Sequence, residues 1–173
     1  DYQAYWQADP YEITEGDSLF LDQLQRDTFQ WFWEKAHGST GLTPDRSTDF
    51  STRNDHISIA AVGFGLTAYG IGAHRGYVTR TEAAARVDLV LRTLLRGKMA
   101  RDEGGIIGYR GWFYHFFNAN SLARAWTSEL SSIDTALLLY GVVFVRNYFD
   151  ADEPMEQAIR DSATVLLNRV EWR

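Results

Sequence analysis

The sequence predicts an all-α fold made of helical hairpins in series. Five segments carry apolar residues at helical spacing, and no segment has a convincing parallel-strand pattern. One segment also has a stripe of small residues, which is typical of a helix packed on several sides. Such inner helices, alternating with amphipathic outer ones, predict an α/α toroid or a solenoid. We expect residues 1–16 to be an extended lead-in and residues 17–173 to form one part of that helical assembly.

The first predicted helix begins at an N-cap provided by Asp17 or Ser18 and runs to about Ala36. Gly38 ends it. The positions expected to face the core are Leu21, Leu24, Thr28 and either Trp31 or Phe32.

The second predicted helix runs from His56 to about Arg75. Its small-residue stripe consists of Ala61, Gly65, Ala68 and Gly72. A glycine inside a helix costs roughly 1 kcal/mol relative to alanine. We expect the stripe to offset that cost by letting another helix come close.

A capping box of Thr79 and Glu82 starts a third, amphipathic helix, and residues 97–107 form a glycine-containing turn. Residues 108–118 mix aromatics and glycines without a helical period, which predicts a short β-hairpin or an ordered loop.

The fourth predicted helix runs from Ser131 to about Phe149 and is apolar on two faces, so we expect it to be buried. One of those faces contains Ile133, Leu137, Tyr140 and Phe144. The fifth starts near Pro154, since acidic residues and an early proline suit a helix N-terminus. Its apolar set is Met155, Ile159, Ala163, Leu166 and Val170.

Composition excludes several classes of function. The net charge is −6 and there is no long basic run, so nucleic acid and anionic membranes are poor partners. No continuous apolar stretch of about 18 residues is present, so we expect no membrane span. Cysteine is absent, which excludes disulfides and thiolate chemistry. The aromatic fraction of 14% is high, and either a well-filled core or a binding surface explains it.

The chemistry-bearing residues cluster after that aromatic run. Glu129 precedes the fourth helix and has no local structural reason to be there, whereas Asp134 falls at the third helical position and can return a hydrogen bond to the cap. Aromatic faces stack on pyranose rings and carboxylates act on the glycosidic oxygen. The segment therefore indicates a sugar site. His115 is either a substrate contact or a core histidine.

Other chemistries lack support. The four histidines show no metal-binding spacing, no GxSxG nucleophile motif occurs, and GGIIG lacks the lysine of a phosphate loop. We expect neither a metal nor a cofactor. The polar loop 38–55 carries Asp45 and Arg46, which fit a surface turn or a loop folded over a ligand.

Five motifs together resemble the bacterial glycoamylase-like family, which is also found in cyclic β-1,2-glucan synthases and includes endo-β-1,2-glucanases. They are TFQWFW (28–33), GLTPDR (41–46), the stretch 58–87, GWFYHF (111–116) and SELSSIDTALLL (128–139). The resemblance covers roughly residues 19 to 173. It implies that the helical assembly of residues 17–173 is part of an (α/α)6 toroid. It also implies inverting hydrolysis of a β-glucan by two carboxylates, with β-1,2-glucan as the expected substrate.

The resemblance also implies roles for residues. Glu129 becomes a carboxylate of the cleft, either the acid or a substrate-binding group. The remaining substrate contacts are hydrogen-bonding groups and the stacking tryptophans: Asp45, Arg46, Trp112, Tyr114, His115, Arg124, Trp126 and Asp134. The family implies a periplasmic or secreted protein. The chain has no charged-then-apolar leader, so we expect a signal peptide to have been removed or never to have existed.

Two departures from the family pattern matter. Phe117 and Asn118 stand where a Leu-Asp pair is common, and Leu122 replaces a usual glycine, so the loop is expected to have its own shape. Family members are also more than twice as long. We therefore expect the remaining helices, and the second carboxylate, to lie beyond Arg173.

Two alternatives to a hydrolase remain. Part of a toroid can bind sugar without cleaving it, as a carbohydrate-binding or scaffold fragment. An unrelated helical interaction domain explains the helices but not Glu129 and its aromatic neighbours. An open half-ring also exposes apolar helix faces, so we expect a partner: the rest of the toroid or another copy of the chain.

Overall fold

The computed structural model describes residues 11–47, 55–101 and 104–172. These residues form helices α1 Glu15–Lys35, α2 Ile59–His74, α3 Arg80–Arg96, α4 Ser132–Tyr148 and α5 Pro154–Arg169. The short strands are β1 His56–Ser58, β2 Lys98–Met99, β3 Ile106–Tyr109, β4 Trp112–Phe113 and β5 Phe116–Asn118. The mainly helical prediction is confirmed. Most of the lead-in and the middle of the polar loop lie outside the described residues.

α1 begins earlier than predicted, because its N-cap is Thr14 rather than Asp17 or Ser18. The Thr14 hydroxyl accepts a hydrogen bond from the Asp17 N–H, and the Asp17 carboxylate accepts one from the Thr14 N–H at 2.9 Å. Asp17 is thus the third helical residue of a capping box. Asp17 was therefore correctly predicted as a residue that caps α1, but it was assigned to the N-cap position instead of the third helical position.

The start of α2 was also wrong, because His56–Ser58 forms β1 and the helix begins at Ile59. β1 pairs antiparallel with β5, with Ile57 opposite Phe117. Both of these side chains are fully buried. Residues 56–58 form a strand because they pair with β5, which lies more than fifty residues further along the chain. A pattern of helical spacing gives no information about such a distant partner.

The closest helix crossing joins α2 to α4 and uses Gly63, which lies outside the predicted stripe. A Cβ on Gly63 would lie 2.3 Å from the carbonyl oxygen of Leu137, and one on Gly141 would lie 2.3 Å from that of Gly63. Within the stripe, Gly65 faces Thr43, and a Cβ on Gly72 would lie 2.1 Å from the Phe29 ring of α1. Glycines therefore admit neighbours on two sides of α2, as expected of an inner helix.

α3 begins with the predicted capping box of Thr79 and Glu82. The predicted apolar set of α5 is buried except for Met155, which is exposed. The stretch 97–107 is not only a turn, since it contains β2 and the start of β3, which pair in parallel. β3 and β4 form the predicted hairpin around Arg110 and Gly111, whose φ values of 51° and 83° suit a tight two-residue turn.

The expectation that α4 is buried on both of its apolar faces was wrong. Ile133 is 68% exposed and Tyr140 is 78% exposed. The buried positions are instead Thr135, Leu138, Leu139, Gly141, Val142 and Val145. Because both faces of α4 are apolar, the spacing of its apolar residues does not predict which face is buried. The contact with α2 at Gly141 determines the buried face.

Apolar surface remains open on one side of the described residues. Leu21 and Leu24, predicted to face the core, are about half exposed, as is Phe64 of α2. Together with Phe32 and Ile71 they line an apolar groove between α1 and α2. No helix in the described part of the chain is long and apolar enough to cross a membrane.

Candidate active site

A short backbone ladder positions the candidate carboxylate. Tyr114 and Leu130 form an antiparallel bridge. The His115 N–H donates to the Glu129 carbonyl, and the Ser131 N–H donates to the Phe113 carbonyl, each at 2.9 Å. The segment after β4 therefore runs beside the segment that enters α4. This pairing places His115 directly opposite Glu129.

The side chains of His115, Glu129 and Asp134 meet above that ladder. The His115 Nδ1 lies 2.9 Å from Glu129 Oε1 and 3.7 Å from Asp134 Oδ2. The Glu129 side chain is 66% exposed, whereas that of Asp134 is 13% exposed. His115 also stacks on Phe116 at 3.8 Å between ring centroids. Three residues predicted from the sequence as candidates for the site, His115, Glu129 and Asp134, are therefore close together in the structure.

The surroundings of Glu129 lower the pKa of its carboxyl group. The main cause is a hydrogen bond from its own backbone N–H, followed by the hydrogen bond from His115, with smaller contributions from the charges of His115 and Arg124. A carboxyl with a lowered pKa is ionised at neutral pH and is a weak proton donor. This geometry favours a base or a hydrogen-bond acceptor over the general acid.

Asp134 occupies the third helical position of α4, where it has a local role. Its N–H donates to the Ser131 hydroxyl at 3.2 Å, and that hydroxyl donates to the Asp134 carboxylate. The interpretation of Asp134 as a capping residue fits this geometry. Because one of its oxygens also faces His115, Asp134 supports the site from beneath.

Among the residues that the structure describes, the same three side chains form the group that could hold a metal ion. One ligand atom from each of His115, Glu129 and Asp134 lies within 4.8 Å of the others. Ligation would, however, compete with hydrogen bonds that the structure already shows, from His115 to Glu129 and from Ser131 to Asp134. The donor set therefore fits a hydrogen-bonded network better than a metal centre.

Trp126 is the most exposed aromatic of the site, at 67%. Its indole stacks on His56 with centroids 4.4 Å apart and an interplanar angle of 21°, and Phe116 meets it edge-on at 5.8 Å. Its φ is +49°, a conformation that a bulky residue adopts at a cost of order 1–3 kcal/mol. Such backbone strain concentrates at functional sites. His56 was missed as a site residue, because nothing near it in sequence marks it.

Arg124 and Tyr114 hold the loop that carries Trp126. The Arg124 Nε donates to the Ser128 carbonyl at 2.6 Å, and the guanidinium lies 4.4 Å from the centre of the Tyr114 ring. Tyr114 itself is only 8% exposed. Its predicted role as a substrate contact therefore fits less well than support of Arg124.

The GLTPDR loop reaches the site through β1. Pro44 bridges to Ile57, and the Asp45 N–H donates to the His56 carbonyl at 2.9 Å. The Arg46 Nε lies 2.5 Å from the Asp45 carboxylate. Asp45 is thus connected through its backbone to the residue beneath Trp126, a contact that fits either a surface turn or a loop folded over a ligand.

Trp112 does not join this group. Its indole N–H donates to the Glu171 carbonyl at 3.0 Å, and its ring lies 5.2 Å from that of Trp172. Neighbouring residues of a strand point to opposite faces, and Phe113 is buried in the core. Trp112 therefore covers the segment after α5 in this structure, and the stacking role predicted for it gains no support.

Comparisons with known proteins agree with the resemblance indicated by the motifs. A curated relative, an exo-β-1,2-glucooligosaccharide sophorohydrolase acting at the non-reducing end, from Parabacteroides distasonis, is 30% identical over 169 residues, which are 95% of this chain and 22% of the relative. No protein-family profile matches the chain.

Two solved structures share the fold. A β-1,2-glucanase from Parabacteroides distasonis has a TM-score of 0.76 and 27% identity, and the match covers 95% of this chain and 22% of that one. A candidate glucoamylase from Bacteroides uniformis has a TM-score of 0.77 and 27% identity, covering 94% of this chain and 37% of that one. The chain thus spans well under half the length of these relatives. The resemblance and the toroid prediction are confirmed: nearly the whole chain is similar to one part of helical toroids, among them two proteins whose names describe β-1,2-glucan hydrolysis.

Proposed function

We propose that this chain forms one wall of the substrate cleft of a β-1,2-glucan hydrolase. The observation that carries the proposal is a continuous series of contacts. It leads from Asp45 through His56 to Trp126, then through Phe116 and His115 to Glu129. Exposed aromatic faces suit pyranose rings, and an ionised carboxylate suits hydroxyls or an attacking water. The names of the similar proteins point to β-1,2-linked glucose as the substrate.

The mechanism we propose is inversion by two carboxylates. Inversion places an acid and a base roughly 6.5–9.5 Å apart, with a water on the side of the base. Glu129, with its lowered carboxyl pKa, acts as the base or as an acceptor for a sugar hydroxyl. The acid is contributed by a part of the protein outside this chain, since Asp134 is engaged by Ser131. The short coverage of the relatives supports this division.

Release of reducing ends from linear β-1,2-glucan tests the proposal. The assay uses the protein at its full encoded length and the variant Glu129→Gln, with Glu153→Gln as a matched control. Glu153 is an exposed glutamate at the start of α5 whose side chain makes no capping bond. Removing a general base lowers kcat by about 10²- to 10⁴-fold. Full activity of Glu129→Gln would exclude Glu129 as an essential group. If the protein cleaved a β-glucan of another linkage but not β-1,2-glucan, the proposed substrate would be wrong.

A non-catalytic carbohydrate-binding fragment is the second candidate. The observation that favours it is Trp126, whose exposed stacking surface can bind a sugar without any second carboxylate. Retention on β-1,2-glucan without release of reducing ends, in a protein whose reading frame stops at Arg173, would support this candidate over the hydrolase.

We also propose that further helices of the toroid cover the apolar groove between α1 and α2, and that the protein is periplasmic or secreted. The exposed Leu21, Leu24 and Phe64 support the first statement, and the family resemblance supports the second. Fractionation of cells that produce the protein would show where it resides, and recovery from the cytoplasm alone would exclude the proposed location.

A further inference from the structure

We infer that His56 is a positioning residue that holds Trp126 as the stacking surface for one glucosyl ring, an inference that rests on the proposed function. Stacking on His56 covers one face of the indole, and Phe116 abuts its edge. With Trp126 67% exposed, the opposite face is the one open to a ligand.

The residue beneath Trp126 belongs to a strand that is paired on both sides. His56 belongs to β1, which pairs with β5 and is bridged to Pro44 by a second pairing of Ile57. Successive side chains of a strand point to opposite faces, so the full burial of Ile57 directs His56 away from the core and beneath the indole. The hydrogen bond from the Asp45 N–H to the His56 carbonyl ties the GLTPDR loop to the same residue.

The loop that carries Trp126 is held on both sides of that residue. The Ala125 N–H donates to the Phe116 carbonyl at 2.9 Å, and the Ser128 N–H donates to the Ala125 carbonyl at 3.2 Å. Between these bonds, Trp126 keeps its φ of +49°. A conformation of this kind persists only when its surroundings over-determine it. The stack on His56 and the edge contact with Phe116 add side-chain restraints to these backbone bonds.

The arrangement at Trp126 fits a glucosyl ring that is bound by stacking, at a distance from the glycosidic bond that is cleaved. The weakly polar face of a glucosyl unit can lie on the open face of Trp126. Phe116 and His115 separate this stacking surface from Glu129. Loss of His56 is therefore expected to weaken substrate binding more than the chemical step.

The test uses full-length protein labelled with 5-fluorotryptophan, in which the ¹⁹F resonance of Trp126 is assigned by its absence from Trp126→Phe. In His56→Ala we expect that resonance to shift or broaden. We also expect KM for linear β-1,2-glucan to rise about 3- to 10-fold, with kcat within about 2-fold of wild type, because an aromatic pair contributes of that order. His56→Phe keeps an aromatic ring beneath the indole and is expected to restore both the resonance and KM.

An unmoved Trp126 resonance and an unchanged KM in His56→Ala would overturn the inference. General unfolding would instead disturb the other tryptophan resonances and would not be rescued by phenylalanine. If wild-type protein neither binds nor cleaves the glucan, the proposed function fails together with the sugar-binding part of this inference. The ¹⁹F spectra of His56→Ala and His56→Phe would even then decide whether His56 positions Trp126.

Discussion

The immediate surroundings of Glu129 determine what its carboxylate can do. The pKa of the Glu129 carboxyl is lowered mainly by a hydrogen bond from its own backbone N–H and by a second one from the His115 ring. The bridge between Tyr114 and Leu130 places His115 opposite Glu129. Because the folded pKa is lowered, this interaction stabilises the fold above the ordinary glutamate pKa and is lost as the pH falls through the folded value. The group is exposed, so its consequence concerns protonation of the site more than stability.

Replacing His115 is expected to change the pH profile of the proposed glucan hydrolysis. In His115→Gln the ring's hydrogen bond and charge are lost, while the backbone hydrogen bond remains, so the pKa of Glu129 rises part of the way toward its ordinary value. The acidic limb of kcat/KM, which reports the essential base of the free enzyme, should move to higher pH. An acidic limb at the same pH in wild type and His115→Gln would contradict the assignment of Glu129 as that base.

Residue-level expectations agree with the observed geometry where the signal was local, while the catalytic role of Glu129 stays a prediction. Glu129 stood out because it precedes a helix next to an aromatic run, and Asp134 because it falls three residues after a capping serine. Local signals did not identify the surroundings of Trp112 and His56. Trp112 was predicted to be a stacking residue of the site but packs against Trp172, whereas His56 was not predicted and stacks on Trp126. The partners that decide their roles, Trp172 and Trp126, lie about sixty or seventy residues away in sequence.

At the level of elements, the contact between α2 and α4 organises the helices beneath the site. The two backbones touch at Gly63 and Gly141, where a side chain on either residue would meet the other helix's backbone. Since Ser131 caps α4 and lies two residues after Glu129, this crossing also affects where the candidate carboxylate lies.

Adding one methyl group at this crossing is expected to be destabilising. Gly63→Ala would place a Cβ 2.3 Å from a backbone oxygen of α4, so the helices must separate. Overpacking of this kind costs about 1–3 kcal/mol of the free energy of unfolding, and more where backbone is displaced. Urea denaturation measures the change. Gly104→Ala is the control, because a Cβ there meets nothing within 4 Å. Equal stability of the two variants would show that the helices are not in close contact.

For the whole molecule, the open apolar surface is the main feature. Half-exposed leucines of α1, Phe64 of α2, and Ile133 and Tyr140 of α4 remain uncovered among the described residues. Exposed apolar patches of this kind mark interfaces. The relatives continue well beyond the matched region, which supports further helices as the covering partner.

The 173-residue chain produced alone is therefore expected to self-associate. Light scattering over a range of concentrations should show a mass that increases with concentration, while protein of full encoded length should stay at one mass. The substitutions Leu24→Gln and Phe64→Gln, both at half-exposed positions of the groove, should reduce the association. A monomer at high concentration would contradict this prediction.

The sequence by itself determined the number and approximate limits of the helices, the Thr79 capping box, the hairpin and the carboxylate beside the aromatic run. These features depend on hydrogen bonds and side-chain periods within a few neighbouring residues. Only the tertiary structure decided that His56–Ser58 is a strand, which face of α4 is buried, and that His56 rather than Trp112 belongs with Trp126. Each of these outcomes depends on a partner far away along the chain, and an apolar helix or a lone aromatic residue carries no local information about which partner it will meet.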